Sequence, residues 1–328
     1  MIQYFENGPF LSALGWTGNI DYAVQSRPSN AWGELERTMT FPANGIPRST
    51  QIVDVQRQSQ PLKSAMLKRS GVPRARSAAK ATVFTAFLGR ELAGYLETES
   101  SDARGECTGF DGNRVSLSVV TASSIVSIFW AFESVGLSQS WDRTDTMLLP
   151  ASIPSSTATA LSNVVDCHAS AINHAGGAAG AFAAVEHAHL NFVHGRSDKA
   201  MVICAEEVST QLVEGMERVG INRDPMDGAS GLVLSSSMRR KSDWQITFSQ
   251  WLCAEQPEAD PMWQSAMHLV IEFGDDYPVY TSTTVPQGIH RVIELALKAG
   301  RTNAILEVRN GAGSRYAMGL RHASAMAR

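Results

Sequence analysis

A chain of 328 residues that is 44% hydrophobic has the material for a sizeable buried core, which excludes a disordered polypeptide. A formal net charge of -4 and a pI of about 6.1 give no overall attraction for nucleic acid or for an anionic membrane. No apolar run approaches the ~20 residues of a membrane-spanning helix, and the opening from Met1 to Gly18 has neither the basic start nor the apolar stretch of a secretory signal. The four cysteines, Cys107, Cys167, Cys204 and Cys253, are far apart and form no C-x-x-C pair. That spacing argues against a zinc site or a disulfide framework. The expectation is a cytoplasmic protein with no metal, no cofactor, no nucleic acid and no membrane among its partners.

Along the chain, Phe10 to Trp16 is a short apolar, strand-like run, and Ile20 to Val24 is either a strand or a helix start. From Arg27 to Pro61 the text is rich in Pro, Ser, Gln and Asn without period, which predicts a long surface loop. Lys63, Lys68, Arg69, Arg74, Arg76 and Lys80 then follow with no acidic residue between them. They are either a solvated face or a docking surface for an acidic carrier protein, with Lys68, Arg69, Arg74 and Arg76 the candidates. Ala81 to Tyr95 has apolar residues at helical spacing. Arg114 to Val120 alternates and is β-branched, which predicts a strand, and Ile125 to Phe132 reads as a helix capped by the preceding Ser or Thr.

The central block is the most informative. Asn173 to His194 is a small-residue turn opening a long helix, Gly195 stops it, and Lys199 to Ala205 is an apolar strand ending on Glu206-Glu207. A strand apolar on both faces belongs to a mostly parallel sheet. Gly228 to Ser236 and Met267 to Phe273 read as strands, Ile289 to Lys298 as a helix closed by Gly300, and Asn303 to Arg309 and Tyr316 to Arg321 as the last two strands. Strands alternating with helices predict an α/β fold.

Four segments, in order, resemble the thiolase-superfamily condensing enzymes, specifically the ketosynthases and ketosynthase-like subunits of fatty-acid and type II polyketide assembly. Pro150 to Ser156 resembles the segment before the nucleophile. Ala175 to Ala184, Gly195-Arg-Ser-Asp198 and Ala200 to Glu206 are similar to the nucleophile helix, its Gly-x-x-Asp end and the following strand. Arg223 to Leu234 resembles the Asp-Gly entry to the next strand, and Asn310 to Leu320 the glycine-rich C-terminal hairpin. The resemblance covers roughly 80 to 328. It implies a single thiolase-like domain over 1–328, an αβαβα five-layer fold built from two similar halves, approximately 1–210 and 211–328. It also implies a dimer whose interface includes the strand next to the nucleophile helix. The parallel between Lys199–Glu206 and Asn303–Arg309, each after a helix ending near a glycine, agrees with an internal repeat.

A condensing ketosynthase needs a thiolate at a helix N-terminus, where the dipole activates it, and two histidines for decarboxylation and oxyanion stabilisation. Counted back from Gly195, the nucleophile position falls at Ala178, or at Gly177 if one gap is allowed, and neither side chain can attack anything. One histidine position falls near Tyr280, in a segment with no histidine, and the second motif, Asn-x-His-Gly-Thr, has no counterpart between Ser237 and Tyr277. His268, alone in an apolar strand, reads as a hydrogen-bonded core residue. Cys167 and His168 are neighbours in sequence, and neighbours diverge on either a strand or a helix. His187, His189 and His194 share no i, i+4 pair and read as a helix face rather than a metal site.

The resemblance therefore implies a subunit of a beta-ketoacyl synthase with no catalysis of its own: a chain length factor that pairs with an active ketosynthase, serves an acyl carrier protein and shapes the acyl tunnel. Phe129, Trp130 and Phe132 are the tunnel or interface candidates, with ordinary core packing the alternative. The rival reading is a stand-alone acyltransferase or thioesterase using Ser155, Ser156 or Cys167. A third is a homodimeric scaffold.

Overall fold

The computed structural model describes residues 4–5, 7–18, 25–28, 67–68, 70–73, 78–99, 111–121, 126–144, 148, 153, 155–207, 218, 228–238, 244–252, 265–272, 282–309 and 314–326. The described strands are β1 (Phe10–Gly18), β2 (Gln25–Pro28), β3 (Val115–Val120), β4 (Ala171–His174), β5 (Lys199–Glu206), β6 (Gly228–Ser235), β7 (Trp244–Leu252), β8 (Met267–Glu272), β9 (Asn303–Arg309) and β10 (Arg315–His322). The described α-helices are α1 (Lys80–Glu99), α2 (Val126–Ser138), α3 (Ser156–Val164), α4 (Gly177–Val193) and α5 (Thr284–Lys298).

The strands run β4-β3-β5-β6-β1-β7-β10-β9-β8, with β2 paired to β1. That order contains its own repeat. In the first half β3 pairs β5 in parallel, β5 pairs β6 antiparallel and β6 pairs β1 antiparallel. In the second half β8 pairs β9 in parallel, β9 pairs β10 antiparallel and β10 pairs β7 antiparallel. The halves meet where Phe10 and Leu11 of β1 lie opposite Gln245 and Trp244 of β7. The helices repeat as well: α4 precedes β5 as α5 precedes β9. Each ends on a left-handed glycine, Gly195 at φ 63° and Gly300 at φ 64°. In each, the arginine after that glycine donates its backbone N–H back to the helix, Arg196 to Asn191 O and Arg301 to Ala296 O. By pairing, β6 belongs with the first half. The division expected near 210 and 211 therefore cuts between paired strands, and the chain passes from one half-sheet to the other between β6 and β7.

Burial follows the layers. In β5, Ala200, Val202 and Cys204 join one core cluster while Met201, Ile203 and Ala205 join another. The second cluster packs α1 and α3 on the outer face, through Phe84, Leu88 and Leu161. The first surrounds α4 and α5 between the half-sheets and includes Ala181, Phe182, Val285, Ile289, Trp244 and Leu306. Phe248, Ile305 and Ala317 lie together in a third cluster, on the other face of the second half-sheet. The α/β class expected from the sequence is observed, with four layers, α-β-α-β, among the described residues, and the sheet is mixed rather than mostly parallel because β6, β1, β7 and β10 pair antiparallel.

β7 is the strand that the sequence reading passed over, although Trp244, Ile246 and Phe248 alternate. A register shift opposite Gly319 and Leu320 breaks that alternation. Beyond it Phe248 joins the outer cluster, and Ser249 turns inward to donate to Phe182 O at 3.0 Å.

Close approach of α4 to β3 depends on Gly180, because a Cβ there would sit 2.8 Å from Val120 Cγ1 and 2.9 Å from Ala175 O. We expect Gly180→Ala to destabilise the fold by about 1–3 kcal/mol through overpacking. Gly94→Ala, in α1 with nothing within 4 Å of the new Cβ, should instead stabilise it by about 0.5–1 kcal/mol. Denaturant unfolding of both variants checks the pair, and equal effects would refute the close-packing argument.

Candidate functional site

The first turn of α4 lies at the centre of the molecule. Gly176, its N-cap, and Gly177, its first residue, both adopt left-handed backbone, at φ 107° and 59°. Ala178 follows, fully buried in the central core. The position counted as the nucleophile's thus falls on the first or second residue of a helix, where a thiol would feel the dipole, and the chain places no reactive group there.

The C-terminal end of β5 ties three elements together. Glu206, 1% exposed, accepts a short hydrogen bond from the Ser282 hydroxyl just before α5. Glu207, 3% exposed, accepts from the backbone N–H of Ala81 in the first turn of α1 at 3.2 Å. The Ser230 hydroxyl of β6 donates to Thr283 O at 2.6 Å. Carboxylates at helix N-termini are favourably placed, so these contacts fix both helices to the first half-sheet without furnishing a nucleophile and base. The Gly-x-x-Asp run ends on Asp198, which takes two hydrogen bonds from Arg114, at 2.8 and 2.6 Å, and closes the start of β3 against β5. The guanidinium holds the Asp198 carboxyl below its ordinary range.

Together, a first half β4-β3-β5-β6-β1, a second half that repeats its pairing, and two buried helices between them define the architecture. No family model matches the sequence, and no curated protein matches it significantly. Solved structures do. The structure described as the ishigamide ketosynthase/chain length factor is 11% identical, with a TM-score of 0.62. A type II PKS acyl-carrier protein in complex with its ketosynthase bound to the hexaketide, AntDE:AntF, gives 12% and 0.62. A beta-ketoacyl synthase from Burkholderia phymatum STM815 gives 14% and 0.59. Each match covers 96% of this chain and 99% of the other. The chain has the thiolase-like fold of the ketosynthases.

Within the ketosynthase fold the other residues singled out from the sequence fall as follows. Tyr280 lies outside the described residues, as do Arg69, Arg74 and Arg76; Lys68 is described and exposed. Phe129 of α2 is 44% exposed, and Phe132 of the same helix packs at 5.7 Å against Trp141, itself 53% exposed. The side chain of Trp130 lies outside the described residues. For Phe129, the alternative of ordinary core packing does not apply, because the core does not cover it.

Cys167 is buried, its thiol donates to Val115 O at 2.7 Å, and burial pushes it up from its ordinary pKa. His168 turns instead to exposed Asp166, at 3.0 Å. Cys204 is fully buried and pushed further up by desolvation. Ser155 is the N-cap of α3 without a side-chain cap bond, and Ser156 opens that helix. His268 is hydrogen-bonded, as expected, to buried Glu307 at 2.9 Å, but it is exposed rather than in the core, because β8 is the end strand of the sheet. Arg309 and Arg315 also bind Glu307, both at 2.6 Å. Desolvation opposes the charge of Glu307, yet these donors outweigh it and hold the carboxyl far below its ordinary range. Among the described residues no group of three metal-ligating side chains occurs, and no helix is long and apolar enough to cross a membrane.

Sequence reasoning missed the end strand β4 and its His174, which the structure sets beside His187 of the helix face. With four residues and a polar end, β4 has no β-branched run to announce it; only its place before a glycine-opened helix signals a strand. His174 of β4 and His187 of α4 lie with ring centroids 5.8 Å apart, and His189 stacks on Phe5 at 4.0 Å. Burial lowers the pKa of all three, with the charge of His187 adding to the effect at His174. A histidine lowered in the folded state binds its proton more readily when unfolded. Its contribution is thus intact above the ordinary value of about 6.5 and is lost as pH falls through that value towards the folded one. We expect the thermal midpoint to fall between pH 7 and pH 5, and His187→Gln to flatten the slope; an unchanged slope would refute the assignment. Glu307 titrates too low to contribute in this window.

Proposed function

We propose that this chain is a non-catalytic ketosynthase-like subunit, of the chain-length-factor type, that pairs with an active ketosynthase in a type II system building an acyl chain on an acyl carrier protein. The single observation that carries this reading is the first turn of α4. In a ketosynthase fold the counted nucleophile position holds Gly177 or Ala178, and the described cysteines are buried elsewhere. Without a thiolate the acyl chain has nothing to bind covalently, so chemistry falls to the partner.

In this reading pairing runs through β4. It ends the sheet, its side chains are partly exposed, and exposed Ile172 and Leu190 extend an apolar surface beside it. An open strand edge with an apolar border is a surface that a second chain stabilises. Two of the similar structures are described as a ketosynthase/chain length factor and as a carrier protein with its ketosynthase, which supports the same partners here. Phe129 and Phe132 stand at the interface or the tunnel, Lys68, Arg69, Arg74 and Arg76 face the carrier protein, and the complex works in the cytoplasm. For the rival, acyl transfer from Ser155, Ser156 or Cys167, the Cys167 thiol is committed to Val115 O and neighbouring His168 turns to Asp166.

The test is co-expression with a type II ketosynthase, followed by malonyl-carrier-dependent condensation assays on each subunit and on the pair. Activity confined to the pair, and abolished when the partner's nucleophilic cysteine is removed, is the expected result. Acyl transfer by this chain alone would overturn the proposal. In the active pair, Phe129→Ala should lengthen the product or weaken pairing while leaving the thermal midpoint of this subunit nearly unchanged, since an exposed ring contributes little to its own core. An identical product distribution with unaltered pairing would remove Phe129 from the interface.

A further inference from the structure

The open edge at β4 carries a polar group that the first half-sheet does not use. Ser170 O and His174 O accept from Leu117 N at 2.7 Å and Thr121 N at 3.0 Å. By strand alternation, the peptide groups of Ala171 and Asn173 therefore point away from β3, toward the open side. The His174 ring lies on the α4 face, and its Nε2 is buried without a hydrogen-bond partner. Beside it, His187 is fixed by its neighbours. Its Nε2 lies 3.3 Å from Asn191 Nδ2 and accepts from that amide, which leaves the proton on Nδ1, 3.4 Å from Ser118 Oγ.

This arrangement selects a tautomer for His174. A buried N–H without an acceptor costs about 1–3 kcal/mol and is rarer than an unused acceptor, so the proton of a neutral His174 belongs on Nδ1 rather than Nε2. Neutrality itself follows from the surroundings. Neither β3 nor α3 carries an ionisable side chain, α4 offers Glu186 beside His187, and the charge nearest in effect on His187 is the cation Arg196 beyond the helix end. No carboxylate among the described residues pairs with the His174 ring, so nothing holds it as a cation.

We propose that His174 is the polar recognition residue of the β4 seam, donating from Nδ1 to a carbonyl or carboxylate that the pairing ketosynthase brings alongside the strand. This rests on the reading that β4 is the pairing edge, and it adds which side chain of that edge selects the partner. An apolar strand border alone would accept many edges. One oriented donor at its end favours a partner that presents an acceptor there.

The experiment measures the dissociation constant of this chain with the type II ketosynthase that it activates in the condensation assay, for the wild type, Asn173→Pro, His174→Gln and His174→Phe. Proline at 173 removes an N–H that points to the open side, which an edge strand tolerates, and it blocks strand addition. The expected pattern is loss of pairing in Asn173→Pro, weakening of about tenfold in His174→Phe, and retention within about threefold in His174→Gln, whose amide keeps a donor. Unchanged pairing in Asn173→Pro would overturn the edge reading and this proposal with it. Loss in Asn173→Pro with wild-type affinity in His174→Phe would overturn this proposal alone. Should His174→Phe not fold, nitrogen-15 spectra of histidine-labelled wild type decide: the proposal requires an Nδ1-protonated His174 whose Nδ1 resonance moves on adding the ketosynthase, and an Nε2-protonated or unmoved resonance rejects it.

Discussion

The structure depends on packing two helices between two half-sheets. α4 and α5 lie between two half-sheets, and the core around them draws on β5, β6 and β1 from one side and β7, β9 and β10 from the other. A helix packed in this way keeps only a narrow outward stripe, Ala183, Glu186, Leu190 and Val193 in α4 and Arg291, Glu294 and Lys298 in α5, and elsewhere it must approach two sheets at close-packed distances. In α4 that requirement is met by small residues: Ala178, Ala181, Ala184 and Ala188 in the core, and Gly180 where Val120 and the carbonyl of Ala175 leave no room for a Cβ. Phe182 is the large exception, stacked on Tyr316 from the opposite half at 5.7 Å.

The same enclosure shapes what the centre can do. Helix N-termini buried between sheets carry unsatisfied N–H groups and a positive end, and an enzyme of this architecture exploits them for a thiolate. Here the positive ends of α1 and α5 meet the carboxylates of Glu207 and Glu206 through structural hydrogen bonds. The first turn of α4 has only glycine and alanine. In the reading proposed above, the centre serves as a joint between two halves, and β4 and the exposed aromatic residues of α2 are the surfaces offered to a partner.

Those margins differ in character. Beside β8 the exposed His268 joins Arg309 of β9 and Arg315 of β10 around a fully buried Glu307, so that end of the sheet carries charged side chains. At β4 the neighbours are Ser118, His187 and Asn191, neutral groups whose internal hydrogen bonds leave His174 unmatched. Edge strands that carry charge resist addition, and edges that carry neutral polar and apolar groups permit it. In the proposed reading, β4 is the end that takes another chain.

Much of this was legible in the sequence because it rests on local patterns. The glycines that stop α4 and α5 mark helix ends by their left-handed backbone, the doubly apolar β5 announces a strand covered on both faces, and the absent thiol is a fact of composition at a countable position. What the sequence did not disclose depends on pairing across distance. β4 is too short and too polar to identify without β3 beside it, the bulge in β7 is defined only against β10, and the membership of β6 in the first half follows from its partners, not from its place in the chain. Nor could the surroundings of His174 and Glu206 be read beforehand, because hydrogen bonding and burial are set by residues far apart in sequence. Local propensity and spacing determined the elements and the glycine and alanine at the counted position; only tertiary structure decided which strands end the sheet and which buried polar atoms lack a partner among the described residues, because both depend on segments distant in sequence.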